Sequence, residues 1–353
     1  MENQFIVNLK PGQNVFFIGD THGDLKAFLS ALSLTKQVNV PSNVLRKAGE
    51  CPVEQSENSR DRFPLDPDEA RSIRWQGTNS IVLFLGDVVD NRRGARADRF
   101  GVCAYTGTQF QILDVLVDLK QQARSRGGDV LLCLGNHEVE NISSFQVSDY
   151  FCKNYAPAVQ RASRDGEVYA VCDSRGGFSA THQKRMLRAI QRLGVYVLVL
   201  VRTSVDSVLG CHGGLTDLSV YRKLNSPIEP GQPIENLTVI NGVFQEALER
   251  KDPVALKFIN KYQSKMPTWC RPKSVLNAED LLRYFGTSKM VKAHDVQDIP
   301  NCTHGPHAQT FRDGELCRID TGMSRAFGKG EKTYCCLKVW ANRKGYLQRE
   351  ILS

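Results

Sequence analysis

The chain lacks the marks of several large protein classes. No apolar run reaches about eighteen residues, the length a spanning helix needs, so no segment is expected to cross a membrane. The opening MENQFIVNLKPG has no basic stretch leading into an apolar core, so a secretory leader is not expected. There is no internal repeat and no low-complexity tract, which excludes solenoid and linker-dominated architectures. The eleven cysteines are odd in number and scattered, a pattern that fits a reducing, cytoplasmic compartment rather than a secreted disulfide framework. No cysteine has an arginine six positions later, so the thiolate-and-phosphate-loop route to phosphate chemistry is excluded. A basic tail is missing too, and aromatic residues are not interleaved with the basic runs, so nucleic acid is not the expected partner. The net charge of +8 then reads as solubility or as attraction to an anionic substrate. A chain of 353 residues, 41% hydrophobic and 24% charged, is long and apolar enough for a globular core.

What is present is a series of short apolar runs, each ending in polar residues. Val15–Ile18 leads to Asp20 and His22, Ile81–Leu85 to Asp87 and Asp90, and Val130–Leu134 to Asn136, His137 and Glu138. SVLGCHGG delivers His212 and KMVKAHDVQ delivers His294. Continuous apolar runs bounded by glycine suit strands buried on both faces. Helical spacing appears between them, over 24–34, 109–124, 179–193 and 275–285. The alternation predicts an α/β fold, a two-sheet sandwich flanked by helices, formed by one domain over 1–353. Residues 36–78, polar and proline-rich, and 225–270, helical with proline breaks, read as insertions. The first is expected to be a surface loop, and the second to shape substrate access. Residues 305–353 read as antiparallel strands completing the second sheet, with a hairpin turn at Asp313-Gly314.

Ligand sites in open α/β sheets lie beyond the carboxyl ends of the strands. One histidine after a strand is ordinarily a loop residue, but here five runs each deliver an Asp, His or Asn at that end. Asp20, His22, Asp87, Asn136, His212 and His294 offer oxygen and imidazole donors suited to Mn, Fe or Zn. With no cysteine among them, a structural thiolate site is not expected. Six donors with one bridging carboxylate suffice for two divalent metal ions at the strand ends, and Asp87 is the natural bridge.

In this order GDTHGD, GDVVD, GNHE, CHGG and KAHDVQ resemble the calcineurin-like metallophosphoesterases, and most closely their phosphoprotein phosphatase branch, with its pattern GDxHG, GDxxDRG, GNHE, HGG and a last histidine. PTWCR and RIDTGMSRAFG further resemble the bacterial-type, Shewanella-like subgroup. The resemblance implies that Asp20 and His22 hold a first metal, Asp87 bridges, and Asn136, His212 and His294 hold a second. It makes His137 the general acid for the leaving oxygen and Asp90 its hydrogen-bonded partner. Independently, His137 adjoins a ligand and is not needed to complete either metal shell. The family clamps phosphate with an arginine at the position of Asn91, so either Arg92 or Arg93 replaces it through a shift of one or two residues or the clamp is weakened, and the subgroup resemblance makes Arg271 a second clamp candidate.

The function implied is a dinuclear-metal phosphatase acting on phosphorylated protein or peptide. Rival readings are a dinucleoside-polyphosphate hydrolase or nucleic-acid phosphatase of the same fold, and a metal-binding scaffold without catalysis. Cys302, His304 and His307 fit no standard zinc spacing, Cys335-Cys336 reads as buried strand filler, and Arg96 and Arg99 as a solvated face.

Overall fold

The computed structural model describes residues 5–50, 65–89, 106–143, 161–164, 167–170, 179–224, 228–270, 278–294, 309–311, 316–319 and 334–353. In chain order its strands are β1 (Ile6–Asn8), β2 (Asn14–Ile18), β3 (Val38–Asn39), β4 (Arg74–Trp75), β5 (Ser80–Phe84), β6 (Asp129–Leu132), β7 (Arg161–Arg164), β8 (Glu167–Ala170), β9 (Leu198–Arg202), β10 (Ser207–Cys211), β11 (Met290–Lys292), β12 (Gln309–Phe311), β13 (Leu316–Arg318), β14 (Cys336–Ala341) and β15 (Leu347–Leu352). They form two mixed sheets, β15-β14-β2-β5-β6 and β1-β9-β10-β11-β13-β12, with β3-β4 and β7-β8 as separate pairs.

In the first sheet β2, β5 and β6 run parallel, with Val15 opposite Ile81 and Val82 opposite Val130. All five residues of β5 are buried, as a strand covered on both faces requires. In the second sheet β10, β11 and β13 are parallel and β9 is antiparallel to β10. The sheets face each other across Gly210. A Cβ there would come within 3.1–3.4 Å of Phe17, Leu83 and Leu85 from the first sheet. Side chains of β2 and β5 thus fill the space that this glycine leaves on β10.

The helices are α1 (Leu25–Leu34), α2 (Ser42–Gly49), α3 (Pro67–Ser72), α4 (Thr106–Arg124), α5 (Asn136–Ile142), α6 (Ala180–Gln191), α7 (Pro233–Leu248), α8 (Pro253–Lys261) and α9 (Ala278–Leu282). Asp24 caps α1 by accepting from the backbone N–H groups of Lys26 and Ala27, and Asp252 caps α8 by accepting from Ala255. Helix α4 packs on β6, and α7 packs on β9. No helix of the described residues is long and apolar enough to cross a membrane.

Two expectations change. Residues 36–78 contain β3, α2, α3 and β4, and Val38 of β3 pairs with Trp75 of β4. Elements of two to eight residues are too short to show a period, so this stretch looks like loop in sequence. The C-terminal strands do not all complete the second sheet. β12 and β13 extend it, with β13 parallel to β11, whereas β14 joins the first sheet antiparallel to β2 and carries β15 at its edge. Which sheet an edge strand joins depends on long-range pairing that its own pattern does not encode.

Candidate metal centre

The turns after β2, β5 and β6 of one sheet meet those after β10 and β11 of the other. Asp20, His22, Asp87, Asn136, His137, His212 and His294 are all buried there. Three of them, His22, Asp87 and His294, have positive φ angles of 45°, 47° and 69°. Non-glycine residues adopt this conformation at a cost, and such outliers cluster where the surrounding structure holds them for function.

The loops brace one another. The Asp87 carbonyl accepts from the N–H groups of Thr21 (3.1 Å) and His22 (2.7 Å), and that of Val88 accepts from Gly23 (2.9 Å). His137 N–H donates to Asp87 Oδ1 at 3.0 Å. The loops pass so close that only glycine fits at 86 and 135. A Cβ on Gly135 would lie 2.1 Å from Asp87 Oδ1, and one on Gly86, where φ is +98°, would lie 2.5 Å from Gly135 N.

Around Asp87 Oδ2 stand three imidazoles, with His212 Nε2 at 3.2 Å, His137 Nε2 at 3.8 Å and His22 Nε2 at 3.9 Å. His212 Nε2 also lies 3.1 Å from Asn136 Oδ1 and 2.9 Å from His294 Nδ1. Asp20 sits between the halves, with Oδ1 3.4 Å from His212 Nδ1 and Oδ2 3.8 Å from His22 Nε2. It also accepts from His294 N–H at 3.2 Å.

These donors fit divalent cations on their chemistry. His212 Nδ1 lies 2.8 Å from the Leu85 carbonyl, an acceptor, which assigns the proton to Nδ1 in the neutral ring. Its Nε2 lone pair then faces a carboxylate oxygen, an amide oxygen and another imidazole nitrogen, an arrangement that calls for positive charge. Burial alone raises the Asp87 pKa, but the facing histidines, His212 foremost, hold it well below the usual carboxylate range. Burial likewise disfavours charged His212, yet the carboxylates of Asp87 and Asp20 hold its pKa well above that of an ordinary histidine. Two groups have their ligand atoms within 4.8 Å of one another: His22, Asp87 and His137, and Asp87, His212 and His294. Asp87 is common to both. His137 therefore stands in the first group, while Asp20 and Asn136 contact His212. Asp90, Arg92, Arg93 and Arg271 lie outside the described residues.

Sequence reading passed over Glu138. Its buried carboxylate accepts four backbone N–H groups, from Asp87 (2.7 Å), Gly135 (2.8 Å), Val88 (2.9 Å) and Val89 (3.1 Å). Burial and the Asp87 charge push its pKa up to about 7 against those donors. The available signal was position alone, since Glu138 is the third residue of α5, from where a glutamate reaches back to the N-cap. Glu138→Gln keeps one oxygen but turns an amide NH2 toward the N–H donors. Stability to denaturant should fall by about 2 kcal/mol. Metal affinity should fall about 10–100-fold through the displaced Asp87 loop. Unchanged metal titration in a folded Glu138→Gln protein would contradict that link.

Known proteins can be set beside this geometry. Shewanella-like protein phosphatase 2 of Arabidopsis thaliana is 36% identical over 86 residues, 24% of this chain and 18% of that protein. The match thus spans less than a fifth of that relative's length. The crystal structure of a cold-active protein-tyrosine phosphatase of a psychrophilic Shewanella species superposes with a TM-score of 0.52, at 15% identity, over 98% of this chain and 83% of that one. A second structure of a cold-active protein tyrosine phosphatase gives 0.51, at 17% identity, over 98% and 81%. At these identities the likeness is one of fold. The model of the calcineurin-like phosphoesterase family matches residues 14–297. That span runs from the start of β2 to beyond His294 and takes in every described donor above, so the chain belongs to the calcineurin-like phosphoesterases.

Proposed function

We propose that the chain is a metal-dependent phosphatase that hydrolyses phosphomonoesters carried on protein. The observation that carries this reading is the pair of buried donor groups sharing Asp87. Asp20, His22 and Asp87 would hold one divalent cation, and Asp87, Asn136, His212 and His294 the other. Two such cations would supply Lewis acidity to the phosphoryl group and to an attacking water. The remaining work falls to the chain. His137 Nε2 gives its proton to the leaving oxygen, Asp90 holds the imidazole in position, and Arg271 with Arg92 or Arg93 fixes the phosphate. Arg92 needs the smaller backbone shift from the position of Asn91 and is the preferred clamp. The buried walls around Asp87 exclude bulk water, which strengthens each of these charges.

The protein substrate is supported by the names of the relatives, a protein phosphatase and a protein-tyrosine phosphatase. A phenoxide also leaves more easily than an alkoxide, so phosphotyrosine should be preferred over phosphoserine. The chelated protein should be inactive, and Mn should restore it better than Mg, because imidazole donors disfavour Mg. The restored protein should hydrolyse phosphotyrosine peptide ahead of phosphoserine peptide, dinucleoside tetraphosphate and single-stranded nucleic acid. Full activity in protein shown metal-free by elemental analysis would overturn the mechanism. Preference for the dinucleotide would replace the substrate class.

A further inference from the structure

The stretch that follows α7 carries a second concentration of chemistry, outside the metal centre. Helix α8 buries Ala255, Phe258 and Ile259 and turns Lys257 and Lys261 outward, four residues apart on one face. A short 3-10 turn, Gln263–Lys265, continues the four-residue series to Lys265. Another turn, Ser219–Leu224, brings Arg222 and Lys223 alongside. The ammonium groups of Lys223 and Lys261 stand 5.3 and 5.6 Å from the centre of the same Tyr262 ring. Hydrogen bonding from Lys223, together with the charges of both lysines, holds the Tyr262 phenol below its usual range. Lys265 donates to Asp217 at 2.6 Å. Among the described residues, Lys223, Lys257 and Lys261 have no carboxylate partner. Like charges gathered with few counter-charges cost free energy, and part of the net +8 of the chain is concentrated here.

This patch is tied to the metal centre by short connections. Gly213, next to His212, donates its N–H to the Pro267 carbonyl at 2.5 Å, and Trp269 and Cys270 N–H groups fold back onto the Met266 carbonyl at 2.9 Å. Asp217, the partner of Lys265, is five residues beyond His212, so at most about 18 Å of chain separates them.

We infer that the lysines of α8 and the neighbouring turn dock an acidic stretch of the polypeptide whose phosphoester enters the metal centre. The inference rests on the phosphatase reading and adds to it the chemistry of the sequence around the phosphorylated residue. The spacing suits an extended chain. Residues four apart on a helix are about 6 Å apart along its axis, close to the roughly 6.7 Å between alternate side chains of a strand. Carboxylates at every second position would meet the lysine row. The aromatic character of the patch argues against nucleic acid, because Tyr262 packs on Phe258 at 5.1 Å and carries lysines over its ring, leaving no open platform for a base.

The test uses metal-reconstituted protein and two phosphotyrosine peptides, one flanked by alternating glutamates and one by glutamines. The acidic peptide should show a kcat/KM about tenfold higher at low ionic strength, through KM. The preference should shrink as salt shortens the screening length. The combined variant Lys223→Glu, Lys257→Glu, Lys261→Glu changes exposed side chains and should fold normally. It should lose the preference while p-nitrophenyl phosphate turnover stays within about twofold of wild type, since that small ester does not reach the patch. Equal rates on the two peptides, or a preference that survives the triple reversal, would overturn the inference. Binding of the unphosphorylated glutamate peptide, read by fluorescence anisotropy, separates the two claims. If it binds wild type and not the variant while no phosphomonoester is hydrolysed, the docking surface stands and the phosphatase reading falls. Tighter binding of a single-stranded oligonucleotide than of the glutamate peptide would reject the polypeptide partner.

Discussion

Replacing Asp87 by asparagine is expected to lower turnover by about 10³-fold or more and to reduce metal content in both halves of the centre. Asp87 Oδ2 faces His22, His137 and His212, and both donor groups include it. Asparagine is nearly isosteric and its oxygen can still accept from His137 N–H, so the fold should persist. What disappears is the negative charge, and the new NH2 has no lone pair to offer. Lewis-acid stabilisation of a phosphoryl transition state is worth several kcal/mol, and each ~1.4 kcal/mol is tenfold in rate. Asp20→Asn should behave differently. Asp20 reaches His22 on one side and His212 on the other, and with His22 and Asp87 it would hold the first cation, so its loss should weaken mainly that cation and spare the other. Elemental analysis of the two variants, with circular dichroism to check folding, separates these outcomes. Two metals retained by Asp87→Asn would remove the bridging role.

Much of this arrangement was legible before any coordinates, for a physical reason. A strand buried on both faces must be written as an unbroken apolar run, and its end must be polar where the chain returns to a cleft. Val15–Ile18 lies within β2, Ile81–Leu85 overlaps β5, and helical spacing over 24–34 and 109–124 corresponds to α1 and α4. The motif order carried the family, and the family match covers the same span. Other features have no local signature. Glu138 is defined by four N–H groups, three of them fifty residues away in the loop after β5, and no periodicity announces such a carboxylate. The left-handed backbone at His22, Asp87 and His294 likewise has no pattern in the sequence, although Asp and His are among the non-glycine residues that adopt it most often. The same limit hides that His137 Nε2 stands as near Asp87 Oδ2, at 3.8 Å, as His22 Nε2 does at 3.9 Å. A motif orders residues along the chain, but the pitch of each strand-to-loop turn decides which side chain swings inward. Cys335 and Cys336 are buried, as strand filler should be, because Cys336 opens β14 and Cys335 immediately precedes it.

His137→Asn should retain both metals and still lower turnover on alkyl phosphates by about 10²–10⁴-fold, the usual scale for a lost general acid. The geometry makes this the most discriminating substitution in the centre, because it admits two roles for the imidazole. His137 Nε2 is 3.8 Å from Asp87 Oδ2, and its ring stands edge-on to His22, 5.0 Å between centroids with an interplanar angle of 87°. A nitrogen in that position can take part in the first cation site, or it can stand beside the site and hold a proton for the leaving oxygen. The two roles leave different traces. A proton donor matters in proportion to the basicity of the leaving group, so the loss should be large for an alkyl phosphate and much smaller for p-nitrophenyl phosphate, whose phenoxide departs with little help. A ligand matters equally for every substrate, because the cation acts on the phosphoryl group common to them all. Metal content gives the second axis: unchanged for a donor, reduced for a ligand. Retained metals with a leaving-group-dependent loss would place His137 at the proton. Lost metal with uniform loss would make it a ligand, and the proton would then have to come from another residue near the mouth of the site.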